Sequence, residues 1–342
     1  MSGQRLAATG LLLLASALAG AGPAGAAAGA GGSAAASAPP SRWVAVSVAT
    51  LWVRPGEARP VDSPSVTDPV DLRAWTAGMT VAQKRWLVGR LETQALYGTR
   101  VCLLATSGAW SKVSVPSQPT PRSPWGYPGW LPTAQLTAKP PETPLAAAPR
   151  TVVVRRPAAW LWETSSLSGR VLETSYGTRL AAVNWTPTFV EVVLLDGRHR
   201  YLRRAAVALH RPGTAWPELT GSRLVTEARR FLGLQYLWAG TSGFGFDCSG
   251  FTHAIFRAMG KTIPRDAGPQ RTRGVPIATR AALRPGDLVF FRNASGVIHH
   301  VGMYVGDGKM IHSPRTGQPV QIGSIFAQPY FSEFAGGRRF TP

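Results

Sequence analysis

Two cysteines and six histidines stand in a chain of 342 residues. Cys248 lies in Asp247-Cys248-Ser249-Gly250, ahead of a segment in which Phe251, Ile255, Ala258 and Met259 recur at helical spacing until Gly260. A thiol at a helix start faces the positive end of the helix dipole and unpaired backbone N–H groups, which favour the thiolate. Attack by such a thiol on a carbonyl needs an imidazole to take its proton and a polar third group to hold that ring in one tautomer. His300 opens HVGMYVG and His312 closes KMIHSP, so a hairpin can supply both. His299 reads as a neighbour without a role, and His253, His199 and His210 as surface residues. His299, His300 and His312 come with no HExxH run or cysteine pair, and no GxxxxGK[ST] run occurs, so neither a metal nor a cofactor is expected. Cys102, in the apolar run VCLLA, reads as a strand core residue, and both thiols are expected to be free.

Register decides whether the two histidines can act together. A two-residue Asp307-Gly308 turn would set Met303 opposite His312 and split the histidines between sheet faces. A three-residue Gly306-Asp307-Gly308 loop sets Gly302 opposite His312. It gathers His300, Gly302, Tyr304, Met310 and His312 on one face and leaves Val301, Met303, Val305 and Ile311 as an apolar set on the other. The second register is preferred because it sorts polar from apolar.

The elements that must carry these residues follow from Trp216 onward. Leu224, Ala228, Phe231 and Leu232 share a helical face with Gly233 as a stop, the Cys248 helix comes next, and GDLVFFR, HHVGMYVG and KMIHSP read as strands. Helices followed by an antiparallel sheet make residues 216–342 an α+β domain. Upstream the chain repeats itself: Leu91-Glu92-Thr93 with Tyr97-Gly98-Thr99-Arg100 recurs as Leu172-Glu173-Thr174 with Tyr176-Gly177-Thr178-Arg179. Two small all-β barrels are expected, at 43–140 and 150–213, joined by a linker over 141–149. The first carries an insertion in which Thr80 and Gln83 form a capping box; Val81, Trp86 and Val88 to Leu91 suggest a helix that delivers Glu92 at its end.

Composition adds the compartment. Residues 1–26 have Arg5, an apolar stretch around Leu11 to Leu14 and small residues up to Ala24-Gly25-Ala26, the pattern of a secretory signal; 27–42 is an Ala/Gly/Ser linker. The apolar stretch is short for a membrane span, so no stable span is expected. The chain carries a formal charge of +20, yet charged residues make up only 16% of it and hydrophobic ones 44%, which excludes a disordered polycation. The excess is spread along the chain, with Arg198, Arg200, Arg203 and Arg204 its only dense cluster, so an anionic cell envelope is the expected partner and nucleic acid is not. A monomer is expected.

The ordered runs YLWAG, DCSG, RDAGPQ, LRPGDLVFF and HVGMYVGDGKMIHSP, over about residues 222–325, resemble the NlpC/P60 family of papain-like bacterial cysteine peptidases. The resemblance implies Cys248 as nucleophile, His300 as general base and His312 as orienting residue. It also implies Tyr236, Asp247 and Ser249 on the substrate side and the Cys248 backbone N–H in the oxyanion hole. Many relatives carry Ser where Gly268 stands here, which puts one substrate contact in doubt. The paired modules resemble the bacterial SH3-like domains of γ-D-glutamyl-L-diamino acid endopeptidases. There the first domain offers a Glu and a Tyr to the free amine of a peptidoglycan stem peptide, at positions matching Glu92 and Tyr127. Carboxylate and phenol together suit an ammonium group.

The expected function is thus an exported cysteine endopeptidase cutting the γ-D-Glu–L-diamino acid bond of stem peptides with a free N-terminal L-Ala. The alternatives are a non-catalytic wall-binding scaffold, and an amidase or acyltransferase using the same thiol.

Overall fold

The computed structural model describes residues 38–342; the expected secretory signal and residues 27–37 of the linker lie outside the described residues. Among the described residues no helix is long and apolar enough to cross a membrane.

Each upstream module is a seven-stranded antiparallel sheet. With the strands of each module numbered in chain order, both sheets run 3-2-6-5-4-1-7, so the repeat seen in sequence is a repeat of topology. The second shows why its sequence forms strands: Val152 and Val154, Leu180 and Ala182, Val190 and Val192 alternate inward and meet in one buried cluster. The modules are all-β as expected, but among the described residues no ladder joins the third strand to the seventh, so hydrogen bonding closes neither sheet into a barrel.

The insertion departs from expectation. Thr80 and Gln83 do form the capping box, but the helix covers only Val81–Trp86, preceded by another at Leu72–Gly78. The chain then turns through Gly89 at φ +75°, and Leu91–Leu96 is a strand paired with Val48–Trp52. Glu92 therefore sits on a strand. Strand pairing overrode the helical spacing, and Val81 and Val88 end up exposed.

Downstream, helices at Gly221–Arg229 and Cys248–Ala258 pack with one face of a six-stranded antiparallel sheet. The sheet order is Val275–Ile277, Phe334–Arg339, Leu288–Arg292, Ile298–Gly306, Lys309–His312, Gln321–Ser324. Leu224, Ala228 and Phe231 are buried as expected, the last just beyond the end of the helix at Arg229; Leu232 is exposed. His253 is a clear correction: it is buried, with Nδ1 2.8 Å from the Ile263 carbonyl, and desolvation pushes its pKa down to about 3. His199 is an exposed partner of Glu191, and His210 stacks on Trp216. Cys102 is buried in the strand Arg100–Ser107, and both cysteines are free.

The modules are packed onto the downstream domain. Trp52, Trp75, Leu87, Leu91 and Leu96 of the first share a cluster with Leu237, Ala239 and Phe244. Glu227 ties in the second, pairing with Arg155 at 2.5 Å and accepting from the Tyr176 hydroxyl at 3.2 Å.

Candidate active site

The hairpin brings the histidines together by a route the sequence did not disclose. Gly306 pairs with Lys309 across a two-residue Asp307-Gly308 turn, whose φ values of +52° and +65° suit Asp-Gly. The three-residue loop is therefore wrong. A bulge between Tyr304 and Gly306 restores the preferred register all the same: Tyr304 pairs with Met310 and Met303 with Ile311. Val301, Met303 and Ile311 enter the main core on one face. On the other, Nε2 of His300 lies 2.8 Å from Nδ1 of His312. A side chain on Gly302 would press on Met310 and His312, so the glycine makes room for that contact.

With Nε2 engaged, Nδ1 is the His300 nitrogen left to face a thiol. If Nε2–H donates to His312, the His312 proton resides on its own Nε2, an atom buried without a hydrogen-bond partner. Tyr330 stacks on His300 with centroids 5.6 Å apart and meets His312 edge-on at 5.3 Å, fixing both rings.

Cys248 begins the Cys248–Ala258 helix, so its N–H has no acceptor within that helix. Asp247 is the N-cap, accepting from Gly250 N–H at 2.6 Å. The expected lowering of the thiol pKa does not follow. Desolvation, then the Asp247 carboxylate, push the thiol up to about 12, although Arg265 and the backbone N–H groups of Val301 and Ser249 pull the other way. Desolvation and the neighbouring His312 and His299 push His300 well below its ordinary value, and desolvation lowers His312 to about 4. At rest both thiol and imidazole are neutral.

One cavity of about 1000 Å³ is lined by Cys248, His300, Tyr236, Asp247, Ser249, Glu92 and Tyr127. His312 stands behind His300, outside that lining. Asp247 and Ser249 are held by buried Arg265, which reaches Asp247 Oδ2 at 2.6 Å and Ser249 Oγ at 3.0 Å and donates to Thr93 of the first module at 3.2 Å. At the far end Tyr127 donates to Asp266 at 3.2 Å, and Arg122 donates to both oxygens of Glu92 at 2.5 and 2.7 Å and to the Tyr127 hydroxyl at 3.2 Å. Glu173, the repeat counterpart of Glu92, pairs instead with Arg73, outside this cavity. A second cavity of about 820 Å³, by Pro119–Pro121 and Lys261–Pro264, is lined by no cysteine, histidine or carboxylate.

Sequence reasoning gave no role to Arg265, Asp266, Arg122 or Tyr330. Arg265 and Asp266 stand in the RDAGPQ run; Arg122 is brought in by a loop and Tyr330 by the short helix Tyr330–Glu333, neither with a local signature. Gly268 lines the cavity, and a β-carbon there would meet nothing within 4 Å.

The family described as NlpC/P60 matches residues 233–339. The chain is 45% identical to a γ-D-glutamyl-L-lysine dipeptidyl-peptidase of Bacillus cereus, over 88% of this chain and 91% of that one. It is 38% identical to the protein of that name in Bacillus subtilis, over 86% and 97%. A crystal structure of an NlpC/P60 family protein from Bacillus cereus superposes with a TM-score of 0.83 at 44% identity, covering 88% of this chain and all of that one. A free thiol at a helix start, a histidine pair beside it and relatives alike along nearly their whole length lead to one conclusion: this chain belongs to the NlpC/P60 family of cysteine peptidases.

Proposed function

We propose that the protein is an exported endopeptidase that hydrolyses the γ-D-Glu–L-diamino acid bond of peptidoglycan stem peptides whose N-terminal L-Ala carries a free amine. The observation that carries this reading is that the thiol of Cys248 shares a cavity with Glu92 and Tyr127, the carboxylate and phenol of an ammonium receptor. The names of the two Bacillus relatives support the bond. The apolar, small-residue segment at 1–26 and the charge of +20 support export to an anionic envelope.

In the reaction Cys248 passes its proton to Nδ1 of His300 as sulfur attacks the γ-carbonyl carbon of D-Glu, and the oxyanion meets the Cys248 N–H. His300 returns that proton to the departing α-amine of the diamino acid as the C–N bond breaks, leaving a thioester. Water, deprotonated by His300, then attacks the thioester carbonyl; the C–S bond breaks, the thiol is regenerated and L-Ala-D-Glu leaves. His312 orients His300 throughout.

The test is mass spectrometry of L-Ala-γ-D-Glu-L-Lys and its diaminopimelate counterpart incubated with the protein. Wild type is expected to release L-Ala-D-Glu and Cys248→Ala to release none; undiminished hydrolysis by Cys248→Ala refutes the proposal. N-acetylation of L-Ala is expected to raise KM, as is Glu92→Ala with the free-amine peptides only.

A further inference from the structure

Glu92 and Tyr127 are not waiting empty. Arg122, on the loop between the strands Trp110–Val115 and Tyr127–Pro132, pairs both carboxylate oxygens of Glu92 and donates to the Tyr127 hydroxyl. Its guanidinium also lies over the Tyr127 ring, 5.1 Å from the centroid. Three acceptor positions that would take an ammonium group are thus engaged by a cation of the protein itself. The Arg122 side chain is 44% exposed and that of Glu92 13%, so the arginine has solvent to move into and the carboxylate does not.

We infer that Arg122 is the resident cation of the amine receptor, and that the substrate's ammonium group binds by displacing it, which makes Arg122 a specificity-determining residue. This rests on the reading that Glu92 and Tyr127 receive the amine. A peptide with an N-terminal ammonium replaces one cation by another, so the carboxylate is never left unpaired. An N-acylated peptide brings no cation; Arg122 stays, and the peptide gains nothing from Glu92. Without Arg122, Glu92 would face Asp266 across Tyr127 with only Arg265, 3.4 Å from Asp266, to offset the charge, and the receptor would attract ammonium more strongly.

The test is steady-state kinetics of the Arg122→Gln and Arg122→Lys proteins with L-Ala-γ-D-Glu-L-Lys and its N-acetyl form. Breaking a half-exposed ion pair is worth a few-fold at most, so Arg122→Gln is expected to lower KM for the free-amine peptide about two- to fivefold. The N-acetyl peptide should show no such gain. Arg122→Lys, which cannot form the paired contact, should fall between wild type and Arg122→Gln. L-Alaninamide, a bare amine, should inhibit Arg122→Gln competitively at lower concentration than wild type, while N-acetyl-L-alaninamide inhibits neither better. An unchanged or higher KM of Arg122→Gln for the free-amine peptide overturns the inference. Glu92→Gln separates the two levels: if it raises that KM and Arg122→Gln does not lower it, only the displacement idea fails. If Glu92→Gln leaves it unchanged, the amine-receptor reading fails and takes this inference with it.

Discussion

Cys248 illustrates two opposing effects at one atom. A helix start favours thiolate, but the residue that caps the helix is itself an anion next to it in the chain, and packing around the sulfur desolvates it. His300 is pushed in the opposite direction, so the charge pair forms only by proton transfer inside a neutral site. Because the space beyond the Gly268 α-carbon is open and faces the cavity, Gly268→Ser should fold with unchanged or slightly higher melting temperature and present a hydroxyl to the substrate. One added hydrogen bond predicts a KM about two- to tenfold lower. Kinetics on the free-amine tripeptide check this, and an unaltered KM would mean the missing serine costs no contact.

The helix Cys248–Ala258 and the hairpin Ile298–His312 hold Cys248 and His300 on separate elements, and each depends on a glycine that lets a neighbour come close. A β-carbon on Gly250 would lie 2.0 Å from the Gly240 carbonyl oxygen, so the glycine of the DCSG run is what lets the helix start seat against the preceding loop. Gly250→Ala is expected to destabilise the protein by about 1–3 kcal/mol, the usual range for overpacking, and to cost activity by shifting Cys248. Urea denaturation alongside the peptide assay measures both; a variant as stable and active as wild type would show that the loop yields freely. In the hairpin, face assignment was readable from the alternation of apolar residues, whereas turn length was not. Turn and bulge compensate, and the apolar pattern constrains only their combined effect on register.

At the scale of the molecule, the cavity is composite: Glu92, Arg122 and Tyr127 come from the first module, while Cys248 and His300 come from the downstream domain. The shared apolar cluster and the bond from Arg265 to Thr93 join two sequence-distant parts into one wall. Burial of histidine sets the pH response of the whole. His253 and His312 have folded-state values of about 3 and about 4, below the 6.5 of an exposed histidine. An unfolded chain therefore binds protons that the folded one refuses, and stability is full above about pH 6.5 and falls as pH drops toward 4. At pH 5 each should cost roughly 2 kcal/mol relative to pH 8. Urea midpoints measured at both pH values test this, and a midpoint that does not fall on acidification would contradict it.

The type and order of the chemical groups were legible in the sequence. A cysteine beside an N-capping aspartate, two histidines on strands that alternate cleanly, and a doubled YGTR run all depend on local spacing, and local spacing is what a sequence displays. Their consequences were decided by packing. That His253 is buried, that Glu92 lies on a strand and not a helix, that the thiol is held neutral and that Arg122 pairs with Glu92 arise from burial and contacts that local spacing does not display. Desolvation and ion pairing act through space, so these outcomes exist only once each domain is folded.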